Sequence, residues 1–468
     1  MIALSLAEIA AACGGVLECR AGATEETVVD GVVETDSRLI TPGSIFFAMR
    51  GEVTDGHLFA QAAVDAGARV LIVERMLELP VSQIQVRDGV RALADLARTV
   101  VARVRSRGEL TVVGITGSNG KTTTKNLLRA ALSAVGPTVA PEGSFNNHIG
   151  APLSMLGIGE DTRYLLVEMG ASGEGEIRRL VEIATPDISV VLKVGLAHAG
   201  EFGGIDSTQR AKAEIVTSLP PTAVAVLNAD DERVAAMANQ TAARVVWFGL
   251  DSAATVRAVD IEATVSGTRF TLVTDGGTLP VRMRILGEHH VMNALATLAV
   301  VRELGLDLSD AITAIEAVPR AERWRMELLE PAEGITVIND AYNASPDSTA
   351  AALKTLAQLT RTAGRSIAVL GEMAELGEYA DEEHDRIGRL AVRLNVARLI
   401  VVGHRARHIH NAAGLEGSWD GESVLVPTAD DAYELLRNDL RAGDIVLVKS
   451  SKSAGLRFLG DRLGGAAS

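Results

Sequence analysis

Aromatic residues are scarce: Phe, Trp and Tyr together make up 3% of the 468 residues. The cores must therefore be built mainly from Ala, Val, Leu and Ile. Cysteine is scarcer still, with only Cys13 and Cys19. No second cysteine pair or nearby His completes a metal site, so the two read as free thiols in a reducing compartment. No uncharged run reaches the ~20 residues that a membrane span needs. The apolar N-terminus lacks the basic flank of a signal peptide, and Glu8 interrupts it. Leu4, Ile9 and Ala12 read instead as one face of a short helix. A basic excess is missing too: 45 Lys and Arg stand against 60 Asp and Glu, for a net charge of −15. That excludes a general nucleic-acid surface, though not local anion sites at loops and helix N-termini. A cytoplasmic monomer is expected, without nucleic-acid partner or membrane insertion.

What is present is a three-block α/β pattern. The first block, 1–107, carries strands at Ser44–Met49 and Arg69–Glu74, a helix at His57–Ala66 and another at Val90–Val104. The polar stretch 105–109 reads as a linker. The second block, 108–318, alternates strands at Thr111–Ile115, Tyr164–Glu168, Ile188–Lys193 and Val224–Leu227 with helices, the signature of a parallel, doubly wound sheet. Within it, Val281, Met283 and Ile285 alternate with Arg282 and Arg284 after an Asp-Gly-Gly turn, which predicts an antiparallel addition at 256–286. A helix follows at Val291–Leu304. The third block, 319–468, is again α/β, with strands at Ile335–Asn339, Ser366–Leu370, Arg398–Val402 and Asp444–Lys449.

The strongest local feature is Gly-Ile-Thr-Gly-Ser-Asn-Gly-Lys-Thr-Thr at 114–123. It follows a buried strand and opens a helix at Lys121–Ala134, as a phosphate-binding loop requires. Glycines let backbone amides turn toward phosphate oxygens, and the helix N-terminus adds its dipole. Gly117, Ser118, Asn119, Gly120, Lys121, Thr122 and Thr123 are thus candidate ATP contacts. Lys121 is suited to the β- and γ-phosphates and Thr122 to Mg2+. The first Gly lies six residues before Gly120 rather than the usual five.

Other polar residues stand at strand ends. Glu168 closes one buried strand and His198 follows another, and in open α/β sheets ligands lie beyond such carboxyl ends. Glu is a hard oxygen ligand suited to Mg2+, and His a less usual one. Lys212, taken alone, reads as an exposed helix lysine. Asn146 and Asn147 suit either a helix cap or a ligand. His289 and His290 are adjacent on a helix and point in different directions, so they do not read as a chelate.

Together these motifs resemble the Mur ligase superfamily, the ATP-dependent amide-forming enzymes of peptidoglycan precursor synthesis. The resemblance rests on 114–123, Asn-Asn-His-Ile-Gly-Ala-Pro at 146–152, Glu168, the His198 segment through Glu-Phe-Gly at 201–203, Ala-Lys-Ala-Glu at 211–214, Leu-Asn-Ala-Asp at 227–230, 287–296 and Asn-Asp-Ala-Tyr-Asn-Ala-Ser-Pro at 339–346. It implies three domains: a UDP-binding N-terminal domain, a central ATPase and a Rossmann-like C-terminal domain. Residues 340–348 and Gly-Glu-Met-Ala-Glu-Leu-Gly at 371–377 look like the branch that joins D-Ala-D-Ala to UDP-MurNAc-tripeptide. The Asp-Asn-Pro-Arg signature of the branch adding the third residue is absent. By this resemblance Thr122 and Glu168 hold one Mg2+, and His198 with a carbamylated Lys212 serves a second. Lys121, Glu168, His198 and Lys212 form the implied catalytic set. Asn293 approaches adenine, and Arg325 and Asp340 complete the nucleotide site. Ser37, Arg38, Asn146 and Asn147 contact the UDP-substrate. Two departures stand out: His290 where Asn is usual, and Trp324 where Gly is common.

Overall fold

A computed structural model of the chain describes residues 1–465 apart from 52–53, 198–199, 201–202, 252, 321, 332–333, 362–363 and 418. Near the N-terminus, Leu6–Cys13 forms a helix. Ser5 and Glu8 close a reciprocal capping box there, so the residue that breaks the apolar run is the one that starts the helix. The helix buries Leu6, Ile9, Ala10 and Cys13. Leu4 lies outside it, in a two-residue strand paired with Val28–Val29, which corrects the expected Leu4–Ile9–Ala12 face.

The strands Ile45–Ala48 and Val70–Val73 are buried at every position, because both faces of a parallel sheet are covered. Among the described residues they are neighbours in a five-stranded sheet ordered 16–18, 82–85, 70–73, 45–48 and 33–34. The helix expected over 57–66 begins as a 3-10 turn, Gly56–Phe59, and becomes α-helical only at Ala60–Asp65. Asp55 is the cause. Its carboxylate accepts from His57 N at 3.0 Å and meets His57 Nδ1 at 2.6 Å, while Nε2 of the same ring accepts from Glu74 N.

The helix Gly89–Ser106 extends into the expected linker. Arg105, in its last turn, donates to Thr185 O and Asp187, fastening the helix to the central unit. Its apolar face (Leu93, Leu96, Ala97, Val100, Val104) joins one continuous core with Met155, Ile177 and Leu180.

The central sheet runs, among described residues, in the order 138–139, 164–168, 111–116, 188–191, 224–228, 244–249, 256–264, 267–274 and 277–283. Pairing is parallel as far as 256–264 and antiparallel beyond it, as the alternation at 281–285 predicts. Among the described residues the third sheet is ordered 327–329, 336–339, 445–449, 366–370, 398–402 and 422–426, with only the first pair antiparallel. The late strand Ile445–Lys449 therefore sits inside the sheet, between two earlier ones. No helix among the described residues is long and apolar enough to cross a membrane.

The shared core generates a stability prediction. Leu96 is fully buried, so Leu96→Ala should cost about 2–5 kcal/mol. Leu250 is 46% exposed, and Leu250→Ala should cost no more than about 0.5 kcal/mol. Urea unfolding followed by circular dichroism distinguishes the two, and equal effects would contradict the shared core.

Candidate active site

Three buried strands, 164–168, 111–116 and 188–191, end side by side, and the phosphate loop springs from the middle one. Backbone geometry explains its glycines. Gly120 has φ 87°, and a Cβ there would lie 2.3 Å from Asn293 Oδ1. Gly117 has φ 154°, and a Cβ there would meet Leu192 Cβ at 2.9 Å. The loop is strapped down by Ser118, whose amide donates to Lys193 O and whose hydroxyl accepts from Gly195 N at 2.8 Å. Helix Lys121–Ser133 begins at Gly120 without a side-chain cap, which leaves first-turn N–H groups for an anion.

Glu168 meets this loop from the neighbouring strand. Its Oε1 lies 3.4 Å from Thr122 Oγ1 and accepts from Asn146 Nδ2 at 2.8 Å. Its Oε2 is buried without a partner. Lys121 Nζ folds back onto Gly117 O at 2.7 Å. Burial pushes the Lys121 pKa down and Arg325 adds to this, while Glu168 opposes it.

The C-terminal unit supplies the opposite wall. Arg325 stacks over the Tyr342 ring at 4.4 Å. Asp340 accepts from Met326 N at 3.1 Å and from Lys449 Nζ at 2.6 Å. The contacts that join the two walls include Tyr342 Oη with Ser144 Oγ at 2.6 Å, Ser345 Oγ donating to Asn119 at 3.1 Å, and Lys193 with Asp347 at 3.2 Å. Between the walls lies a cavity of about 290 Å³. A second, of about 310 Å³, shares Asn119, Gly120, His289 and Asn293 and reaches Asn228 and Asp230. Among the described residues, four polar atoms buried without partners belong to the first cavity: Asn119 Nδ2, Glu168 Oε2, His290 Nε2 and Arg325 Nε. Such groups are costly unless a ligand completes them.

The structure thus brings together Gly120, Lys121, Thr122, Thr123, Glu168, Asn146, Asn293, Arg325 and Asp340. Asn147 is not among them; its side chain accepts from Ile149 N and Gly150 N, fixing the turn into the helix Gly150–Met155. Ser37 and Arg38 form a separate 3-10 turn, where Asp36 holds the exposed Arg38 guanidinium. A cavity of about 340 Å³ lies at the seam between Val32–Glu34 and the segment 139–145. His198 lies outside the described residues. Lys212 is not an exposed lysine, which corrects the reading from sequence alone. It is 3% exposed on the helix Ile205–Thr217, with its pKa pushed well below the ordinary lysine value, first by burial and then by the charge of Lys121.

Sequence reasoning missed Ser144, Tyr342 and Lys449 as site residues, and also Lys125. Lys449 carried a usable sign, since it ends a buried strand. Lys125 carried none. It is 1% exposed and donates to Pro141 O at 2.7 Å and Gly143 O at 2.8 Å, setting the segment that delivers Ser144 and Asn146.

The donor chemistry suits Mg2+ at one place. Thr122 and Glu168 offer hard oxygens, and one carboxylate oxygen is otherwise unmet. Among the described residues no group of three or more His, Cys, Asp or Glu forms a metal cage, so phosphate oxygens would have to complete such a site. His290 is fixed as a donor toward the cavity, because its Nδ1 accepts from Asn293 Nδ2 at 3.0 Å.

Family models match three stretches of the chain: "Mur ligase family, catalytic domain" over 31–109, "Mur ligase middle domain" over 115–301, and "Mur ligase, glutamate ligase domain" over 324–452. The chain is similar to the UDP-N-acetylmuramoyl-tripeptide–D-alanyl-D-alanine ligase of Mycobacterium tuberculosis (strain ATCC 25618 / H37Rv), with 44% identity covering 99% of this chain and 98% of the relative. A crystal structure of MurF from Acinetobacter baumannii superposes with a TM-score of 0.88 at 30% identity, covering 99% of both chains. MurF ligase from Thermotoga maritima, solved in complex with ADP, gives 0.81 at 27% identity, covering 93% of this chain and 97% of that one.

One group yields a pH prediction. Burial pushes the His289 pKa from 6.5 down to about 4, with Asp340 opposing and Lys449 assisting. The folded pKa lies below the unfolded one, so this stabilisation is complete above about pH 6.5 and is lost as pH falls toward 4. His289→Asn should flatten the fall of stability between pH 6.5 and 4, measured by urea unfolding. An unchanged slope would mean that the ring is protonated in the folded protein.

Proposed function

The chain belongs to the Mur ligase family, and from that premise we propose that it joins D-alanyl-D-alanine to UDP-N-acetylmuramoyl-tripeptide with ATP, in peptidoglycan precursor synthesis. The observation that carries the reading is the set of four unpartnered buried polar atoms around the phosphate loop, contributed by the central and C-terminal units. The three-domain division is taken as 1–107, 108–318 and 319–468, and the working form as a cytoplasmic monomer.

A carboxylate does not react usefully with an amine, because its leaving group would be oxide. Transfer of the γ-phosphoryl of ATP to the tripeptide carboxylate makes an acyl-phosphate. The amine of D-Ala-D-Ala attacks its carbonyl, phosphate leaves, and the amide forms as the nitrogen loses a proton. Two anions meet in the first step, so Lys121 and Arg325 would offset their charge. The loop amides of 117–123 would cradle the phosphates, and Asn293 and His290 would contact the base or ribose. Glu168 and Thr122 would hold one Mg2+, which when bound would supply charge neutralisation for the phosphates.

Lys212 is the candidate for carbamylation. Reaction with CO2 needs a neutral amine, and burial beside Lys121 favours that form. As a carbamate it would offer oxygens, with His198, to a second Mg2+. Ser37 and Arg38 would take the UDP moiety. The cavity at 32–34 and 139–145 would lead the peptide stem toward Asn146. Closure of the C-terminal unit through Ser144–Tyr342 and Asn119–Ser345 keeps water from the acyl-phosphate.

The reading predicts sustained ADP and phosphate release only when UDP-MurNAc-tripeptide and D-Ala-D-Ala are both present. A coupled assay tests it, and release indifferent to both substrates would refute it. Lys212→Ala should slow turnover about a hundred- to a thousandfold, with partial recovery in added acetate. A near-normal rate in that variant without acetate would exclude the carbamate.

A further inference from the structure

Two non-glycine residues in the left-handed region flank Arg325: Trp324 at φ 60° and Met326 at φ 48°. Such backbone persists only where its surroundings over-determine it, and it concentrates at functional sites. Met326 is held by Asp340, through its amide, and by its buried side chain. Trp324 is held more elaborately. Its amide donates to Glu327 at 2.9 Å, and its carbonyl accepts from Tyr342 N at 3.1 Å. Its indole N–H is shared between both oxygens of Asp461, each at 2.9 Å.

Asp461 lies on the helix Leu456–Leu463 and is 3% exposed. It also receives Asn339 Nδ2 at 3.0 Å and Arg323 Nη2 at 3.0 Å. The indole face is covered by the guanidinium groups of Arg323 and Arg457, 4.7 and 5.5 Å from the ring centre, and Phe458 meets it edge-on. This helix is pressed close to the sheet at Gly460, where a Cβ would lie 2.4 Å from Asn339. The indole is therefore anchored to a rigid support on one side of the turn. On the other side the same turn projects Arg325 over Tyr342, into the cavity that faces the phosphate loop.

We propose that Trp324 is a positioning residue: its indole, pinned to Asp461, forces the left-handed turn that aims Arg325 at the nucleotide. The proposal rests on the reading of Arg325 as a nucleotide contact. A glycine at 324 would adopt the same φ without strain but would not be compelled to keep it, so the turn would lose its preference and Arg325 its aim. The last helix of the chain thus acts on the nucleotide through one side chain, without touching it.

Steady-state kinetics of Arg325→Ala, Trp324→Gly and Trp324→Phe, with KM measured separately for ATP and for UDP-MurNAc-tripeptide, test this. Arg325→Ala should raise the KM for ATP tenfold or more. Trp324→Gly should raise it at least fivefold with the KM for the tripeptide within twofold of the parent. Trp324→Phe, which keeps an aromatic ring but loses the N–H, should fall between Trp324→Gly and the parent. If Arg325→Ala raises the KM for ATP but neither Trp324 variant does, the positioning role is wrong and the nucleotide contact stands. If Trp324→Gly weakens both substrates equally, Trp324 is only structural and the proposal fails. If Arg325→Ala leaves the KM for ATP unchanged, the reading of Arg325 falls and the proposal with it.

Discussion

A buried carboxylate oxygen without a donor costs roughly 1–3 kcal/mol or more, and Glu168 carries that burden at the end of a fully buried strand. Much of the site is arranged around this one group. Thr122 opens the phosphate-loop helix facing it. Asn146 holds its other oxygen, and Lys125 fixes the segment that supplies Asn146. The field of Glu168 reaches Lys121 and Lys125, partly offsetting the effect of burying two ammonium groups one helical turn apart. A cation shared with phosphate oxygens would satisfy the carboxylate, and in doing so would join substrate binding to the stability of the loop.

Much of the fold was legible because its strands are short apolar runs between turn residues. Tyr164–Glu168, Ser366–Leu370 and Arg398–Val402 begin and end where the pattern says. The antiparallel addition was legible for a different reason, the alternation of Arg with apolar residues after a glycine turn. Errors arose where a side chain overrode local pattern. Asp55 tightens the start of the helix at 57 into a 3-10 turn, and Arg105 prolongs the preceding unit's last helix by bonding across to Thr185 and Asp187.

The site was legible in its loop and its strand ends and illegible in its lysines. Lys212 lies in a stretch that looks amphipathic, yet the helix buries Thr208, Ala211, Lys212, Ala213 and Glu214 in turn. Part of the reason lies far off in sequence: Glu214 accepts from the amides of Gly175 and Arg178, at the start of the helix Glu176–Ile183, so the two helices are locked face to face. A periodicity argument sees one helix at a time and cannot register a neighbour that seals its polar side. The hydroxyl pair Ser144–Tyr342 was hidden for the same reason, being 198 residues apart in the chain.

The strand Ile445–Lys449 lies between two strands completed about a hundred and about eighty residues earlier. While the chain is still being synthesised, strands 336–339 and 366–370 have a gap where their common neighbour belongs, and each exposes an unpaired edge. Asp340 meanwhile lacks the ammonium that neutralises it, since Lys449 closes that same strand. The unit that supplies the second wall of the nucleotide cavity is therefore completed only once residue 449 has emerged, and a message truncated before codon 445 yields a protein in which that wall is left unfinished.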